Sequence, residues 1–277
     1  MILKKRYIAI LLILFIVQLQ AGAFQQEIAK NNLEQARTAM KCGDYLKAIR
    51  LSREASNVSD EKDLKAEALY VQGRAAEAIA KSLISIASRQ VKPRANGGYW
   101  DEDFIHWPGL KPYQDKGLRF EWDHSGSLYI YDGASYRDII SKYPESKWAC
   151  AASFKLLRLE KIRGGEWGGN IQPAEEEIKK LETFLEQCPQ PEVKSEIRLA
   201  MALDYIYLIS CHEYRSSPDF DPEKAALYIL KTEELLKNIK TEHLNADESK
   251  KVKYLPNRLK DYREILKNGG VAKRKSD

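Results

Sequence analysis

Small residues recur at helical spacing through residues 33–80, and this spacing constrains the fold more than any other feature of the chain. One run carries Ala36 and Ala39 before Ala48 and Ala55, and a second carries Ala66, Ala68, Gly73 and Ala76. Residues three and four apart share one face of a helix, so each run offers a face that a second helix can approach closely. Gly43-Asp44 supplies turn residues inside the first run. The pattern predicts closely packed helix pairs.

The same stretch resembles the tetratricopeptide repeat (TPR). That family places Gly-Asp-Tyr before an Ala-Ile pair and a further Ala, as Gly43-Asp44-Tyr45, Ala48-Ile49 and Ala55 stand here. Gly73 matches the small residue of a following repeat, 37 residues after Ala36, where the family's period is about 34. The resemblance implies an all-α solenoid of TPR-like antiparallel helix pairs.

A second segment, residues 136–149, resembles the periplasmic TPR proteins of cell-envelope assembly. These proteins end a repeat with an apolar pair and Tyr-Pro-x-Ser, which matches Ile139-Ile140, Tyr143-Pro144 and Ser146. Pro144 is expected to close one helix, and Ser146 to cap the next helix at its N-terminus. A degenerate copy follows 45 residues later, with Cys188-Pro189 in place of Tyr143-Pro144.

The N-terminus has the three parts of a secretory signal peptide. Basic residues precede an apolar run over residues 8–17, and Ala21-Gly22-Ala23 offers small residues for cleavage. We expect residues 1–23 to be removed and the protein to be periplasmic or secreted, with no stable membrane span afterwards. An uncleaved membrane anchor is the alternative, although the apolar run is shorter than the roughly 20 residues that a span needs.

The net charge and the spacing of the cysteines limit the kinds of ligand that the protein is expected to bind. Loss of Lys4, Lys5 and Arg6 lowers the formal net charge from +5 to +2, which argues against nucleic acid as the main partner. The four cysteines form no C-x-x-C pair, so zinc binding is not expected. The cysteines are expected to be buried thiols. If one pair is oxidised, we expect it to be Cys150 with Cys188, because antiparallel helices would bring these two to the same edge of the helix array.

Residues 93–130 interrupt the helical pattern. The segment is rich in Gly, Pro and aromatic residues, which predicts an ordered loop insertion with a short β-hairpin and excludes a helix. TPR-like helix pairs are expected on either side, over residues 24–92 and 131–267, followed by a disordered basic tail over 268–277. In the last helices we expect Leu227, Leu230 and Leu235 to face inward, and Pro256 to begin the final helix.

The insertion also holds the one cluster with a catalytic composition. Its acidic and histidine residues alternate with tryptophans and are Asp101, Glu102, Asp103, His106, Glu121, Asp123 and His124. A carboxylate pair beside aromatic rings is typical of glycan-cleaving enzymes, so carbohydrate binding or cleavage is the alternative function. A loop whose acidic residues are solvated and whose aromatic residues anchor it to the helices would explain the same composition. We predict no catalytic residue, metal site or cofactor.

Partner binding is the main functional prediction. Stacked helix pairs present a surface that suits an extended peptide or a partner's helix. Exposed aromatic side chains would supply hot spots on it, and the candidates are Tyr70, Trp100, Trp107, Trp122 and Trp148. The sequence therefore predicts a non-enzymatic interaction scaffold of the cell envelope that binds a protein or peptide partner.

Overall fold

The computed structural model describes residues 2–91, 101–124, 127–163, 171–213 and 219–269. The described residues are mostly helical, as an all-α protein requires, with one two-stranded sheet among them. The chain divides into two compact units, Met1–Arg163 and Gly164–Asp277. Each unit is described separately below.

Three long helices begin the first unit: α1 (Ile2–Lys41), α2 (Tyr45–Val58) and α3 (Lys62–Gln90). Gly43 makes the turn between α1 and α2 with φ of 78°, a conformation that glycine adopts without steric cost. The Asp44 carboxylate then accepts a hydrogen bond from the Lys47 N–H and caps α2. Both α2 and α3 pack on α1, and the core between them includes Ala29, Leu33, Ala36, Leu51, Ala55 and Ala68. The predicted helix pair is confirmed.

Tyr45 has a smaller part in this core than a TPR alignment implies. Its side chain is half-buried, whereas Ala48 and Ile49 on the next turn of α2 are buried. The apolar contact at the start of α2 therefore depends on the Ala-Ile pair. Truncating Tyr45 should therefore cost less stability than truncating a fully buried ring, because part of the residue is already in water.

The insertion folds as short helical turns followed by a hairpin. The turns are α4 (Asp101–Ile105), a 3-10 turn (Pro108–Leu110) and α5 (Lys111–Gln114), so the expectation of no helix is wrong. Pro108 and Pro112 cause no conflict because each stands in a first turn, where its missing N–H has no partner to lose. The predicted hairpin is confirmed as β1 (Phe120–Asp123) paired antiparallel with β2 (Leu128–Tyr131), and Phe120 lies opposite Tyr131.

The first unit ends with α6 (Ala134–Lys142) and α7 (Trp148–Arg163). The Ser146 hydroxyl accepts a hydrogen bond of 3.0 Å from the Trp148 N–H at the first residue of α7, in agreement with its predicted capping role. Both helices pack against α3, and β2 packs against α3 and α7. Helix α3 is thus the central element of the unit, and about half of its residues are buried.

The second unit contains α8 (Gln172–Gln187), α9 (Pro191–His212), α10 (Pro222–Lys237), a 3-10 turn (Thr241–His243) and α11 (Ala246–Lys267). Helix α9 contacts α8, α10 and α11 and is buried around much of its circumference, as its apolar sequence predicts.

Two expectations for the last helices are wrong. Leu227 and Leu230 are 49% and 58% exposed, because α10 instead buries a neighbouring stripe formed by Ala225, Tyr228, Ile229 and Thr232. Pro256 lies inside α11 and does not begin it. Helix α11 starts ten residues earlier, where Asn245 and Glu248 form a reciprocal capping box with hydrogen bonds of 2.9 and 3.0 Å.

Cys42 and Cys211 carry free thiols, of which that of Cys42 is exposed and that of Cys211 is partly buried. The expectation of buried thiols is therefore wrong for Cys42. Within the described part of the chain, no helix combines the length and apolar character that crossing a membrane requires.

Candidate interaction site

The structure buries most of the aromatic residues that were predicted to contact a partner. Tyr70, Trp107 and Trp148 are each at most 6% exposed, so the predicted exposure of these three side chains is wrong. Trp122 is half-buried, and Trp100 lies outside the described residues. Large apolar rings are inside because burial of their area stabilises the fold.

The aromatic side chains of the insertion pack against one another. Trp122 stacks on Phe104 with ring centroids 4.7 Å apart and planes within 6° of parallel. Tyr129 meets the edge of Trp122 at 5.0 Å, and its hydroxyl donates a 2.6 Å hydrogen bond to the Phe104 carbonyl. Burial raises the pKa of Tyr129 to about 12, so the hydroxyl stays a donor at any physiological pH. These contacts hold the helical turns of the insertion against its hairpin.

Two polar contacts attach the insertion to the long helices. The Trp107 indole N–H donates a 3.2 Å hydrogen bond to the Gln90 amide oxygen at the end of α3. The Arg53 guanidinium of α2 donates to the Lys116 carbonyl. The insertion is therefore a cover fixed to α2 and α3.

The acidic residues of the insertion are distributed between water and partly buried positions. Glu102, Glu121, His106 and His124 are exposed, and Asp103 and Asp123 are half-buried. Among the described residues, no group of three potential metal ligands comes together. A catalytic carboxylate pair requires two carboxyl groups that flank the bond to be cleaved. The positions of these residues add no support to that alternative.

A buried polar network joins three helices of the first unit. The Tyr136 hydroxyl of α6 donates a hydrogen bond to the Glu77 carboxylate of α3, and the Lys155 ammonium of α7 lies 3.7 Å from the same carboxylate. Tyr136 is fully buried and Lys155 is 6% exposed. Burial and the neighbouring Glu77 charge raise the pKa of Tyr136 well above its ordinary value. A network of this kind fixes how α6 and α7 sit on α3.

Aromatic rings surround this network. Tyr70 of α3 lies 5.8 Å from the Tyr136 ring and 4.8 Å from the Trp148 ring. The Tyr131 ring of β2 approaches Tyr136 edge-on at 6.1 Å. Two of the predicted binding residues, Tyr70 and Trp148, are therefore brought together, but in the core of the unit. Their role in the structure is to pack α3 against α6 and α7.

A second polar group lies at the end of α9. His212 and Glu213 are 3% and 5% exposed. The Glu213 carboxylate has one oxygen, Oε2, with no hydrogen-bond partner. Desolvation raises the pKa of Glu213 from 4.5 to about 7, and Arg258 of α11 partly opposes the increase. The sequence signal that could have revealed this group is the pair of adjacent polar residues, His212 and Glu213, at the end of an apolar helix.

A hydrogen bond fixes the orientation of the His212 ring. Its Nδ1 contacts the Asp219 carbonyl, and because a carbonyl only accepts, Nδ1 donates. Nε2 is buried without a partner. The ring also lies 5.8 Å from Tyr228 of α10, whose own ring is 5.3 Å from Tyr205. His212 therefore belongs to an aromatic stack inside the second unit.

The exposed apolar side chains are found elsewhere. Among the described residues, large apolar side chains that are well exposed include Phe24, Leu46, Ile105, Leu227, Leu230 and Tyr254. Leu227 and Leu230 are the pair that lies one turn apart on a single helix. Adjacent exposed leucines are a stronger sign of a contact surface than isolated ones, which are common on soluble proteins.

Comparison with protein-family models, curated proteins and solved structures finds no match to this chain.

Proposed function

We propose that this protein is a non-enzymatic interaction scaffold of the cell envelope, built from TPR-like helix pairs and binding a protein or peptide partner. The observation that carries the proposal is the succession of helix contacts in the first unit. Helix α1 packs on α2 and α3, and α3 packs on α6 and α7. This is the order of contacts that stacked helix pairs make, with α1 and α3 as the first helices of two successive pairs.

The small residues of the repeat pattern support the same interpretation. A Cβ atom at position 73 would come within 2.5 Å of Cζ in the Tyr136 ring, so glycine is what allows α6 to approach α3. Tetratricopeptide repeats use small residues for this close approach, and here the insertion lies between the two helices of one pair. The link from such a fold to partner binding is an analogy at the level of the fold.

An envelope location rests on the leader. Its basic start, short apolar run and small residues are those of an exported protein, and the resemblance of residues 136–149 is to periplasmic TPR proteins. Phe24, which would be the first residue after cleavage, is 64% exposed, whereas Ala29 is fully buried against the helix pair.

Carbohydrate binding or cleavage by the insertion is the less supported alternative. A sugar-binding platform needs an aromatic face open to the ligand. Trp107 and Tyr129 are buried, and one face of Trp122 is covered by Phe104. These contacts favour a structural role for the aromatic residues of the insertion.

Affinity capture with the mature chain, residues 24–277, tests the proposal. We expect chemical cross-linking in an envelope extract to recover a defined partner, which also binds the purified chain directly. A chain unfolded by heat serves as the control for non-specific capture. Failure of every captured protein to bind the purified chain, together with cleavage of envelope glycans by that chain, would contradict the scaffold proposal and support the alternative.

A further inference from the structure

Two adjacent residues at the end of α9 each bury a polar atom that has no hydrogen-bond partner. The atoms are Nε2 of His212 and Oε2 of Glu213, in residues that are 3% and 5% exposed. A buried polar group without a partner costs free energy, and the cost is greatest when the group carries a charge. The folded chain therefore accommodates the neutral carboxyl group of Glu213 better than its carboxylate.

A short strap, residues 219–221, closes this end of the helix. The Asp219 carbonyl accepts a hydrogen bond from Nδ1 of His212, and the Asp221 N–H donates one of 3.3 Å to the His212 carbonyl. The Asp221 carboxylate then caps α10 by accepting a 3.0 Å hydrogen bond from the Lys224 N–H. The strap thus bonds twice to the residue beside Glu213 and also fixes the first turn of α10.

The basic residue of α11 that acts on Glu213 does not pair with it. The charge of Arg258 favours the carboxylate, but its Nε donates a 2.9 Å hydrogen bond to the Tyr262 hydroxyl. Within the described ranges, no ion pair joins Glu213 to a basic residue. Burial outweighs the attraction and raises the pKa of the Glu213 carboxyl to about 7.

Other titratable groups surround this end of α9 from the helices packed against it. The Glu175 carboxylate of α8 accepts a 3.0 Å hydrogen bond from the Tyr228 hydroxyl, and the Tyr228 ring lies 5.8 Å from His212. In the described part of the chain these groups include Cys211 and His212 on α9, Asp219 and Asp221 in the strap, Tyr228 on α10, Tyr262 on α11 and Glu175 on α8. Loss of the Glu213 proton would therefore leave a buried carboxylate with no counter-charge in contact.

We propose that His212, Glu213 and the strap form a pH-sensitive latch in the second unit. Above neutral pH the Glu213 carboxyl group releases its proton to water, and the carboxylate follows into solvent. The strap and the first turn of α10 then separate from the end of α9, while the rest of the unit stays folded. This inference concerns a conformational change and does not depend on the proposed scaffold function.

Linkage gives the direction and size of the effect. The closed latch holds the Glu213 proton up to a pKa of about 7, whereas a carboxyl group in water loses it at about 4.5. Between these values the closed form binds a proton that the open form has lost, so a rise in pH favours opening. The open fraction should increase about tenfold from pH 6 to pH 8 and change little from pH 8 to pH 9.

Hydrogen exchange of the purified chain, read by mass spectrometry, tests the latch. Exchange rates are divided by the intrinsic rate at each pH. Amides of residues 219–225 are expected to lose protection about tenfold from pH 6 to pH 8, whereas those in the middle of α9 and in α11 should keep theirs.

The free thiol of Cys211, next to the latch and partly buried, gives a second measurement. Its alkylation rate relative to that of exposed Cys42 should rise over the same pH range. Both measurements on the wild type hold whether or not a variant folds.

Three variants assign the proton to Glu213. Glu213→Gln, which stays neutral, should remain closed at pH 8 and lose the pH dependence. Glu186→Gln, at an exposed position of α8, is the matched control and should keep it. His212→Asn retains an N–H donor for the Asp219 carbonyl without a titrating ring, and it should also keep the dependence. Circular dichroism verifies that each variant is folded.

Three results would overturn the latch. The first is equal protection of residues 219–225 at pH 6 and pH 8, or an equal loss in the wild type and Glu213→Gln. The second is a loss of protection spread evenly over the second unit, which would assign the effect to global stability. The third is a pH dependence that His212→Asn abolishes and Glu213→Gln keeps, which would assign the proton to His212.

Discussion

The Tyr136 ring lies directly over Gly73, so that the absence of one side chain on α3 makes room for the largest buried ring on α6. In an open helix, replacing glycine with alanine would stabilise the protein by up to about 1 kcal/mol. Here the new methyl group would collide with the ring. We expect Gly73→Ala to lower the free energy of unfolding by about 1–3 kcal/mol, measured by urea denaturation.

The double variant Gly73→Ala with Tyr136→Ala is the control for this collision. Removing the ring should make the alanine at position 73 neutral or stabilising relative to Tyr136→Ala alone. A Gly73→Ala single variant as stable as the wild type would show that α6 sits further from α3.

The hydroxyl of Tyr136 should have its own measurable contribution. Tyr136→Phe keeps the ring over Gly73 and removes only the hydrogen bond to Glu77. We expect a loss of about 1–2 kcal/mol in urea denaturation, because a hydrogen bond to a charged group is lost in a buried site. Tyr254→Phe, at a 58% exposed tyrosine, is the matched control and should change stability little. Equal stability of Tyr136→Phe and the wild type would contradict the buried network.

Glu213 should make stability depend on pH. Its carboxyl group has a pKa of about 7 in the folded chain and about 4.5 when unfolded. Between these values the folded state holds a proton that the unfolded state has lost, so stability falls as the pH rises from 4.5 to 7. We expect Glu213→Gln, which mimics the protonated form, to be more stable than the wild type at pH 8 by roughly 1–3 kcal/mol. At pH 4 the two should be nearly equal.

Thermal unfolding at several pH values measures this difference. Among the described residues, the groups near this end of α9 include His212 itself, Asp219 before α10, Tyr228 of α10 and Arg258 of α11. Glu186→Gln, at an exposed position of α8, controls for the general effect of losing a carboxylate. If the Glu213 and Glu186 variants depend on pH identically, the proton is not bound at Glu213.

Sequence alone predicts the helices of this chain better than it predicts which face of each helix is buried. On α10, Leu227 and Leu230 form one apolar stripe and Ala225, Tyr228 and Ile229 another. Both have helical spacing, so periodicity cannot choose between them, and only packing against α9 decides. The start of α11 is predicted wrongly from Pro256 for a related reason. Proline is typical of a first helical turn, but a capping box earlier in the chain and contacts along α11 outweigh one missing hydrogen bond.

The candidate site shows the same limit. Aromatic residues in a Gly-rich and Pro-rich segment are compatible with a ligand platform and with an anchored cover. Trp107 illustrates the ambiguity, because its hydrogen bond to Gln90 depends on where α3 ends relative to the insertion. That distance is a tertiary property, which composition does not contain.

The mature chain is predicted to begin at Phe24. The Gln26 side chain accepts a hydrogen bond from the Ser59 hydroxyl and donates one to Glu61, so the contacts of α1 with the α2–α3 connection are kept after cleavage. We expect residues 24–277 to be as stable as the full chain within about 0.5 kcal/mol. Mass spectrometry of the exported protein gives its first residue. A start at Met1 in protein retained by membranes would instead support the uncleaved anchor.

Cys150 and Cys188 should appear as one cross-linked peptide. Proteolysis without reductant is expected to join the peptides that contain them, and Cys42 and Cys211 should react with a thiol reagent. Cys150→Ser with Cys188→Ser should cost roughly 2–4 kcal/mol, the usual contribution of a native disulfide. Four reactive thiols in protein from an oxidising compartment would contradict this assignment.

The attachments of the insertion have a consequence for the way the protein opens. An irregular segment that is anchored at one point can detach while the helices beside it stay folded. Here Trp107 is bound to the end of α3, and the Lys116 carbonyl to Arg53 of α2. The segment therefore cannot leave without disturbing both helices, and its amide hydrogens should exchange with those of α2 and α3 as one cooperative unit. A segment whose sequence is typical of a loop then unfolds together with the core helices, and mutations in it should be tolerated as poorly as mutations in α3.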